Sequence, residues 1–327
     1  MNNAMVLGLS RWILKRILLG LATLVFVCVV IFIATQVLPG DAARAILGRS
    51  ATPERLEAVR QSLNLDQPAV WQFLLWAKGI LHGDPGLSLA SQLPVVDVIA
   101  PKLRNTVTLV VLVSLIGIPL SILAGVFAAI REGRPFDTFL SVLALTLAAL
   151  PEFIVGMILI LMFSTVVFQW FPPVSLVPPG RTLWDVLPIL VLPVATLVLI
   201  IFPYLFRMIR SSMRGVLRSE YIEMAHLKGV GKRRLIWMHA LPNAIGPTFQ
   251  VIGLTVNYLA GGVVITEYLF GFPGIGQLLL DAVKSRDVPV IQFIVLLLAG
   301  FYVVVNMLAD LATVLVTPRL RIREGRA

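Results

Sequence analysis

Six long runs in this sequence are free or almost free of charged residues, and they limit the possible folds more than any other feature. The runs lie at about 17–38, 105–130, 138–169, 186–206, 246–266 and 290–316. A helix of about 20 apolar residues, rising about 1.5 Å per residue, crosses the hydrocarbon core of a bilayer. Such a helix also satisfies its own backbone hydrogen bonds, which lipid cannot do. The sequence therefore predicts an all-α membrane protein with six transmembrane helices.

The composition agrees with this prediction. Of the 327 residues, 58% are hydrophobic and 13% are charged, whereas soluble domains average roughly 45–50% and about 25%. The first run follows three basic residues and could be a signal peptide. It is longer than the roughly 7–15 apolar residues of a signal peptide, and no small-residue cleavage site follows it. We therefore expect it to remain as a transmembrane helix. The single cysteine, Cys28, excludes a disulfide within the chain.

The positions of Lys and Arg predict the orientation in the membrane. Taking alternate loops as the two sides, 17 of the 27 basic residues fall on one side, in the N-terminus, the loop at 131–134, the segment 207–234 and the tail at 319–326. Basic residues are enriched in cytoplasmic loops. We therefore expect both termini and the segment around 220–234 to be cytoplasmic. The net charge of +10 then reflects topology and lipid headgroups, and we expect no nucleic acid partner.

The largest segment predicted outside the membrane is 41–103. The stretch "TPERLEAVRQSLNL" has Thr52 as a candidate N-cap and Pro53 at the first helical position. The stretch "AVWQFLLWAKGIL" has an apolar helical face that includes Trp71. We expect two short helices on the outer surface, followed by the turn-rich "HGDPGLSLASQLP". Docking of a soluble outer partner and simple capping of the pore mouth are both open interpretations.

Six prolines fall within or beside the apolar runs. Each removes a backbone hydrogen bond and favours a bent helix, which suits a pathway that opens and closes. They are Pro119, Pro151, Pro188, Pro193, Pro203 and Pro247.

Three acidic residues lie within these runs: Glu152, Glu267 and Asp310. A charge at the bilayer centre costs about 3 kcal/mol by insertion scales, so such residues often mark substrate or ion pathways. For Glu267 and Asp310 an interfacial or interhelical hydrogen bond is the simpler interpretation. Glu152 directly follows Pro151 near the middle of the third run. It could face an aqueous cavity and meet a cationic amine or ion, or be held protonated by burial.

The sequence lacks the motifs of a nucleotide-hydrolysing or other enzyme. A phosphate loop reads G-x-x-x-x-G-K-[ST], but around Gly231 and Lys232 the first glycine is replaced by His226 and the hydroxyl residue by Arg233. The glycine-rich "GFPGIGQ" at 271–277 is better explained as a tight turn. We therefore expect a transporter component that is not an enzyme and binds neither a metal nor a cofactor of its own.

The segment between Arg218 and Arg234 is too polar to span the membrane. We predict a cytoplasmic helix near 220–231, and both a rigid handle for another protein and a solvated amphipathic loop are open interpretations. Residues of one helical face recur at spacings of three and four, with small residues at positions 225 and 229 and glycines that end the helix at 229 and 231. The shared face comprises Tyr221, Met224, Ala225 and Lys228.

The residues Glu223, Ala225, Gly229 and the pair Leu241-Pro242 resemble the E-A-A-x3-G-x9-I-x-L-P signature of ATP-binding cassette (ABC) importer permeases. Met224 and His239 depart from that consensus, although "HALPNA" is similar to the peptide branch. Further pieces in the same order resemble the dipeptide/oligopeptide/nickel permease family, and the long segment after the first run is similar to its first permease subunit. These pieces are "LPGD", "HGDPGLS", "LPEFIVGMILI", "RMIRSSM", "FGFPGIGQLL", "RDVPV" and "NMLADL...TPRLR".

This resemblance implies a subunit of an importer in the bacterial inner membrane. A second, homologous permease would pair with it, two cytoplasmic ATPase subunits would use ATP and Mg²⁺, and an extracytoplasmic binding protein would deliver the substrate. The ATPase-coupling residues would be Glu223, Ala225, His226 and Gly229. Di- or oligopeptides are the expected substrates. Nickel or another small solute is the alternative within the family, and an ATP-independent secondary carrier is the alternative outside it.

The predicted domains are an N-terminal part, a permease core and a basic tail. The N-terminal part, 1–103, holds the first transmembrane helix and the outer segment. The core, 104–319, holds five transmembrane helices and the coupling helix. The tail is 320–327.

Overall fold

The structure is a computed structural model that describes residues 3–37, 52, 57, 67–177 and 183–316. These residues form helices joined by turns, with one isolated antiparallel bridge between Leu87 and Pro94. The helices are α1 (Asn3–Val37), α2 (Ala69–Leu81), α3 (Val95–Ile130), α4 (Pro135–Ala149), α5 (Glu152–Ile160), α6 (Leu183–Leu217), α7 (Glu220–Leu227), α8 (Lys232–Arg234), α9 (Leu241–Ile245), α10 (Thr248–Phe270), α11 (Ile275–Ser285) and α12 (Val288–Val316). Two π-helical stretches, Leu161–Thr165 and Leu235–Ala240, continue α5 and α8.

Among the described residues, five helices are long and apolar enough to cross a membrane: α1, α3, α6, α10 and α12. The bent pair α4 and α5 supplies a sixth span if it is counted as one. The predicted all-α membrane fold is therefore confirmed. Several helices extend beyond the charge-free runs, because a helix continues through polar residues once it leaves the hydrocarbon. Helix α3 begins at Val95 and α6 ends at Leu217.

The third apolar run is two helices, where the sequence predicted one span over 138–169. Helices α4 and α5 are bent by 108°. The break falls at Leu150 and Pro151, which are both extended, with ψ of 132° and 144°. The residue before a proline is disfavoured in the α region, so Leu150 ends α4. Pro188, Pro193 and Pro203, by contrast, lie inside α6.

A first compact unit comprises the described residues of Met1–Gly20, Val107–Phe272 and Phe301–Ala327. Helix α6 lies at its centre and packs against α4, α5, α9 and α10. The α6 side chains in its core include Leu197, Ile201 and Leu205. A second cluster joins the end of α6 to the segment 222–244.

A second compact unit comprises the described residues of Leu21–Thr106 and Pro273–Gly300. Its core joins α3, α11 and α12 through residues such as Ile99, Ile275 and Ile294. The predicted helix at "AVWQFLLWAKGIL" is confirmed as α2, and its Phe73 packs edge-on against Phe32 at 5.3 Å between ring centroids.

Some predicted features lie outside the described residues. These are "LPGD", the basic tail, and the helix expected after Thr52, of which only Thr52 and Glu57 are described.

Candidate functional site

Helix α7 is the helix predicted for the segment 220–231, and its ends explain the glycine of the signature. Ser219 precedes it in an extended conformation, and Glu220 and Glu223 lie in its first turn, where negative charge is favourable. At the other end Gly229 has φ +80°. The Gly229 N–H donates to His226 O and the Val230 N–H donates to Ala225 O. These two bonds form a Schellman motif, whose left-handed residue is usually glycine.

The two faces of α7 have different environments. Ile222 is buried, and Ala225 packs with it against the apolar cluster at the end of α6. Tyr221, Met224 and Leu227 are exposed large apolar side chains. The sequence predicted that Tyr221, Met224 and Ala225 share one face. In the structure Tyr221 and Met224 are exposed, whereas Ala225 faces the protein core.

The chain after α7 is fixed to the end of α6. Leu235, Ile236 and Ala240 are buried in the same cluster as Met213 of α6. Ser212 Oγ donates to the carbonyl of Ala244 at 2.7 Å. These contacts join α7 and the following residues to α6 as one packed body, so a displacement of α7 must also act on α6.

A shallow groove of about 470 Å³ lies beside α7. Glu223 and His226 line it from α7, and Arg218, Lys232 and Leu235 contribute from both sides. Of the four predicted coupling residues, Glu223, His226 and Gly229 are exposed and Ala225 is partly buried.

Glu152 is the first residue of α5 and is 7% exposed. Its carboxylate accepts two hydrogen bonds from α10. Thr266 Oγ1 donates at 2.5 Å and Tyr258 Oη donates at 3.0 Å. A buried carboxylate requires such partners, so Glu152 joins the helix that follows the break to α10.

The partners of Glu152 form a stripe along α10. Tyr258, Gly262 and Thr266 are spaced by four residues and lie on one helical face. A Cβ built on Gly262 would come within 3.1 Å of Tyr258 Cζ. The absence of a side chain at 262 therefore lets the Tyr258 ring lie along α10 and reach Glu152. Tyr258 remains 45% exposed.

The other two predicted pathway acids have different surroundings. Asp310 forms an ion pair with Arg16, at 2.9 Å between Oδ2 and Nη1. Glu267 is fully buried near the end of α10, and its carbonyl accepts the N–H of Phe272 at 2.8 Å.

Three arginines follow one another at intervals of four residues, two in the last turns of α6 and the third, Arg218, directly after it. Arg210 makes two hydrogen bonds to Asp137, at 2.5 and 2.7 Å. Arg214 and Arg218 both contact Glu132. The end of α6 is therefore tied to the turn between α3 and α4.

In the second unit, two sequence motifs 199 residues apart meet. Asp287 of "RDVPV" is buried and accepts hydrogen bonds from the Ser88 hydroxyl at 2.5 Å and the Leu89 N–H at 3.0 Å. The Ala90 N–H also contacts it, at 3.3 Å. This carboxylate shapes the loop between α2 and α3.

Sequence reasoning missed the partners of the charged residues. Tyr258 and Thr266 could have been suggested by their spacing of eight, which is two helical turns, around a glycine. The pairing of Asp137 with Arg210 had no local signal, because 73 residues separate them.

The chain matches a family described as "Binding-protein-dependent transport system inner membrane component" over residues 117–322. A model of the N-terminal part of that component matches residues 9–110. The chain is 36% identical to a Sinorhizobium fredii protein named "Probable peptide ABC transporter permease protein", over 95% of this chain and 99% of the relative. It is 34% identical to an Escherichia coli "Glutathione transport system permease protein", again over 95% and 99%. The chain therefore belongs to the inner membrane components of binding-protein-dependent transport systems, and it is a multi-pass protein of the inner membrane.

Proposed function

We propose that this chain is a permease subunit of an ABC importer and forms half of a pathway for di- or oligopeptides. The two relatives named above are a peptide and a glutathione permease, and glutathione is itself a small peptide. These names favour peptides over nickel, the alternative substrate within the dipeptide/oligopeptide/nickel permease family.

The proposed assembly contains a second, homologous permease, two cytoplasmic ATPase subunits and an extracytoplasmic substrate-binding protein. ATP and Mg²⁺ bind to the ATPase subunits. Both termini of this chain and α7 face the cytoplasm, in keeping with the excess of Lys and Arg on that side.

Helix α7 is the observation that carries this proposal. A short helix with three exposed apolar side chains, Tyr221, Met224 and Leu227, is a surface that favours a protein partner. Its inner face is packed against α6. Closure of the ATPases would therefore move α7 and α6 together, and so couple nucleotide binding to the opening of the pathway.

Glu152 is the proposed pathway residue with the best support, since it is a buried carboxylate beside the half-exposed Tyr258. Glu267 and Asp310 stay predictions for the same role.

The test of the coupling role is Gly229→Glu in the assembled complex. A Cβ at Gly229 would meet no atom of this chain within 4 Å, so a new side chain would extend toward a partner. We expect the variant to reach the membrane and to lose substrate-stimulated ATP hydrolysis. The matched control is Gly83→Glu, at a glycine with φ +78° and equally open surroundings. Normal stimulation in Gly229→Glu would contradict the assignment.

A secondary carrier is separated from this proposal by reconstitution. The chain alone in liposomes should transport no peptide, whereas the complex with its ATPases and binding protein should transport peptide only with ATP. Transport by the chain alone would favour the carrier.

A further inference from the structure

The exposed strip on α6 is polar, although α6 is the most buried of the five described helices that are long enough to cross a membrane. In its apolar stretch 72% of the residues are buried, against 11% in α1. Between Leu192 and Leu217 the exposed positions are Tyr204, Arg207, Ser211 and Gly215. Their spacings of three and four residues put them on one helical face.

This strip differs from a surface that faces lipid. The exposed positions of α1 include Leu14, Leu18, Val25 and Phe26, as expected where hydrocarbon surrounds a helix. A strip of Tyr, Arg, Ser and Gly is unfavourable in hydrocarbon, since polar membrane residues usually face the bundle interior or a water-filled cavity. The strip begins at Tyr204, at the end of the apolar run, and continues into the part of α6 predicted to lie on the cytoplasmic side. It therefore suits the cytoplasmic end of the solute pathway.

A groove of about 640 Å³ runs along this strip. Tyr204, Arg207 and Ser211 line it from α6, Ser141 and Leu145 from α4. Ser141 Oγ is buried and has no hydrogen-bond partner in the described part of the chain. Such an atom is often satisfied by a water or a ligand.

Arg207 differs from its neighbours in this groove. Arg210 is held by Asp137, and Arg214 by Glu132. Among the described residues Arg207 has no hydrogen-bond or ion-pair partner. A guanidinium group in an amphipathic groove is suited to bind a carboxylate through two parallel hydrogen bonds.

We propose that Arg207 binds the carboxylate of the transported solute in the groove between α4 and α6. This rests on the proposed function, and it extends that function to peptides with a free C-terminus. Ser141 and Tyr204 supply further hydroxyl donors at the same place.

The experiment titrates the purified permease–ATPase complex, without the binding protein, with trialanine and with trialanine amide. The complex should bind trialanine at least about tenfold more tightly than the amide, because only the carboxylate can accept two charge-assisted hydrogen bonds from the guanidinium group. Arg207→Gln should remove this preference by weakening only trialanine binding. Arg207→Lys should keep part of the preference, and the exposed Arg134→Gln should match the native complex.

Several results would overturn this inference. They are equal affinity of the native complex for both peptides, no measurable binding of either, and an unchanged preference in Arg207→Gln. Equal weakening of both peptides would show that Arg207 does not recognise the carboxylate, and failure of the Arg207→Gln complex to assemble would indicate a subunit contact. If the complete system with its binding protein imports no peptide, the proposed function fails, whatever the titration gives.

Discussion

Arg210 of α6 binds Asp137 of α4 through two parallel hydrogen bonds. The break in the third apolar run lies between these two helices in the chain. Nε lies 2.5 Å from Oδ1 and Nη2 lies 2.7 Å from Oδ2. Asp137 is 2% exposed and also accepts the N–H of Gly133 at 3.0 Å. The pair therefore fixes the start of α4 to the helix that leads into α7.

Asp137→Asn should lower the stability of the complex by about 3 kcal/mol, because it leaves the partly buried Arg210 without its counter-charge. The thermal unfolding midpoint of the purified complex measures this. Glu132→Gln is the matched control, since its ion pairs are more exposed and contribute about 1 kcal/mol or less. The double variant Asp137→Asn/Arg210→Gln should recover part of the loss. Equal midpoints for Asp137→Asn and Glu132→Gln would contradict this prediction.

Glu152→Gln should impair uptake more than assembly. The amide keeps the shape of the side chain and can still accept a hydrogen bond from one hydroxyl group. It loses the negative charge that an amine substrate would meet. We expect an uptake rate at least about tenfold lower, which corresponds to about 1.4 kcal/mol. Radiolabelled peptide uptake, divided by the amount of assembled complex, is the measurement. Unaltered transport kinetics would leave Glu152 with a structural role only.

Gly262→Val should reproduce the effect of Tyr258→Phe. A branched side chain at 262 would displace the Tyr258 ring, which passes within 3.1 Å of the position of a Cβ, and so remove its hydrogen bond to Glu152. Loss of a hydrogen bond to a charged group costs about 1.5–3 kcal/mol. Uptake and thermal stability should change alike in the two variants.

The control for Gly262→Val is Gly261→Ala, because a Cβ at Gly261 would meet nothing within 4 Å. Alanine should raise helix stability there by up to about 1 kcal/mol. A stable, fully active Gly262→Val protein would show that the reach of Tyr258 does not depend on the glycine.

Asp287→Asn should loosen the loop between α2 and α3. The asparagine lacks the charge that strengthens the bonds from Ser88 and Leu89, so the Leu89 and Ala90 amides should exchange with solvent about tenfold faster or more. Hydrogen exchange followed by mass spectrometry of this loop measures the change. Ser285→Ala is the control, since Ser285 Oγ bonds only within α11 in the described structure. Equal exchange in both variants would exclude this role for Asp287.

The sequence predicted the membrane spans well because their signal is local. Charge-free runs identify helices directly. Gly229 identified the end of α7, because helices commonly end at a glycine in the left-handed backbone conformation. The 108° bend at Pro151 was harder to predict, since prolines inside α6 leave that helix continuous. The difference depends on which neighbouring helices pack around the missing hydrogen bond.

The site partners could not be predicted for a related reason. Glu152 was identified by its own charge, but its contacts with Tyr258 and Thr266 depend on the packing of α5 against α10. The sequence did not distinguish Arg207 from Arg210 and Arg214. The structure does so, because it pairs Arg210 and Arg214 with acidic residues.

The break at Pro151 also changes the electrostatics of the third span. In an unbroken span, the peptide N–H groups at this point would be hydrogen-bonded to the preceding turn. The break places the N-terminus of α5 there instead. The N–H groups of Ile154 and Val155 bond back to Pro151, whereas those of Glu152 and Phe153 belong to the first turn, which has no carbonyl before it within the helix. A helix start carries about half a positive charge. The bend therefore puts the positive end of a helix at the residue that carries the buried carboxylate, in addition to the two hydroxyl donors that reach it from α10.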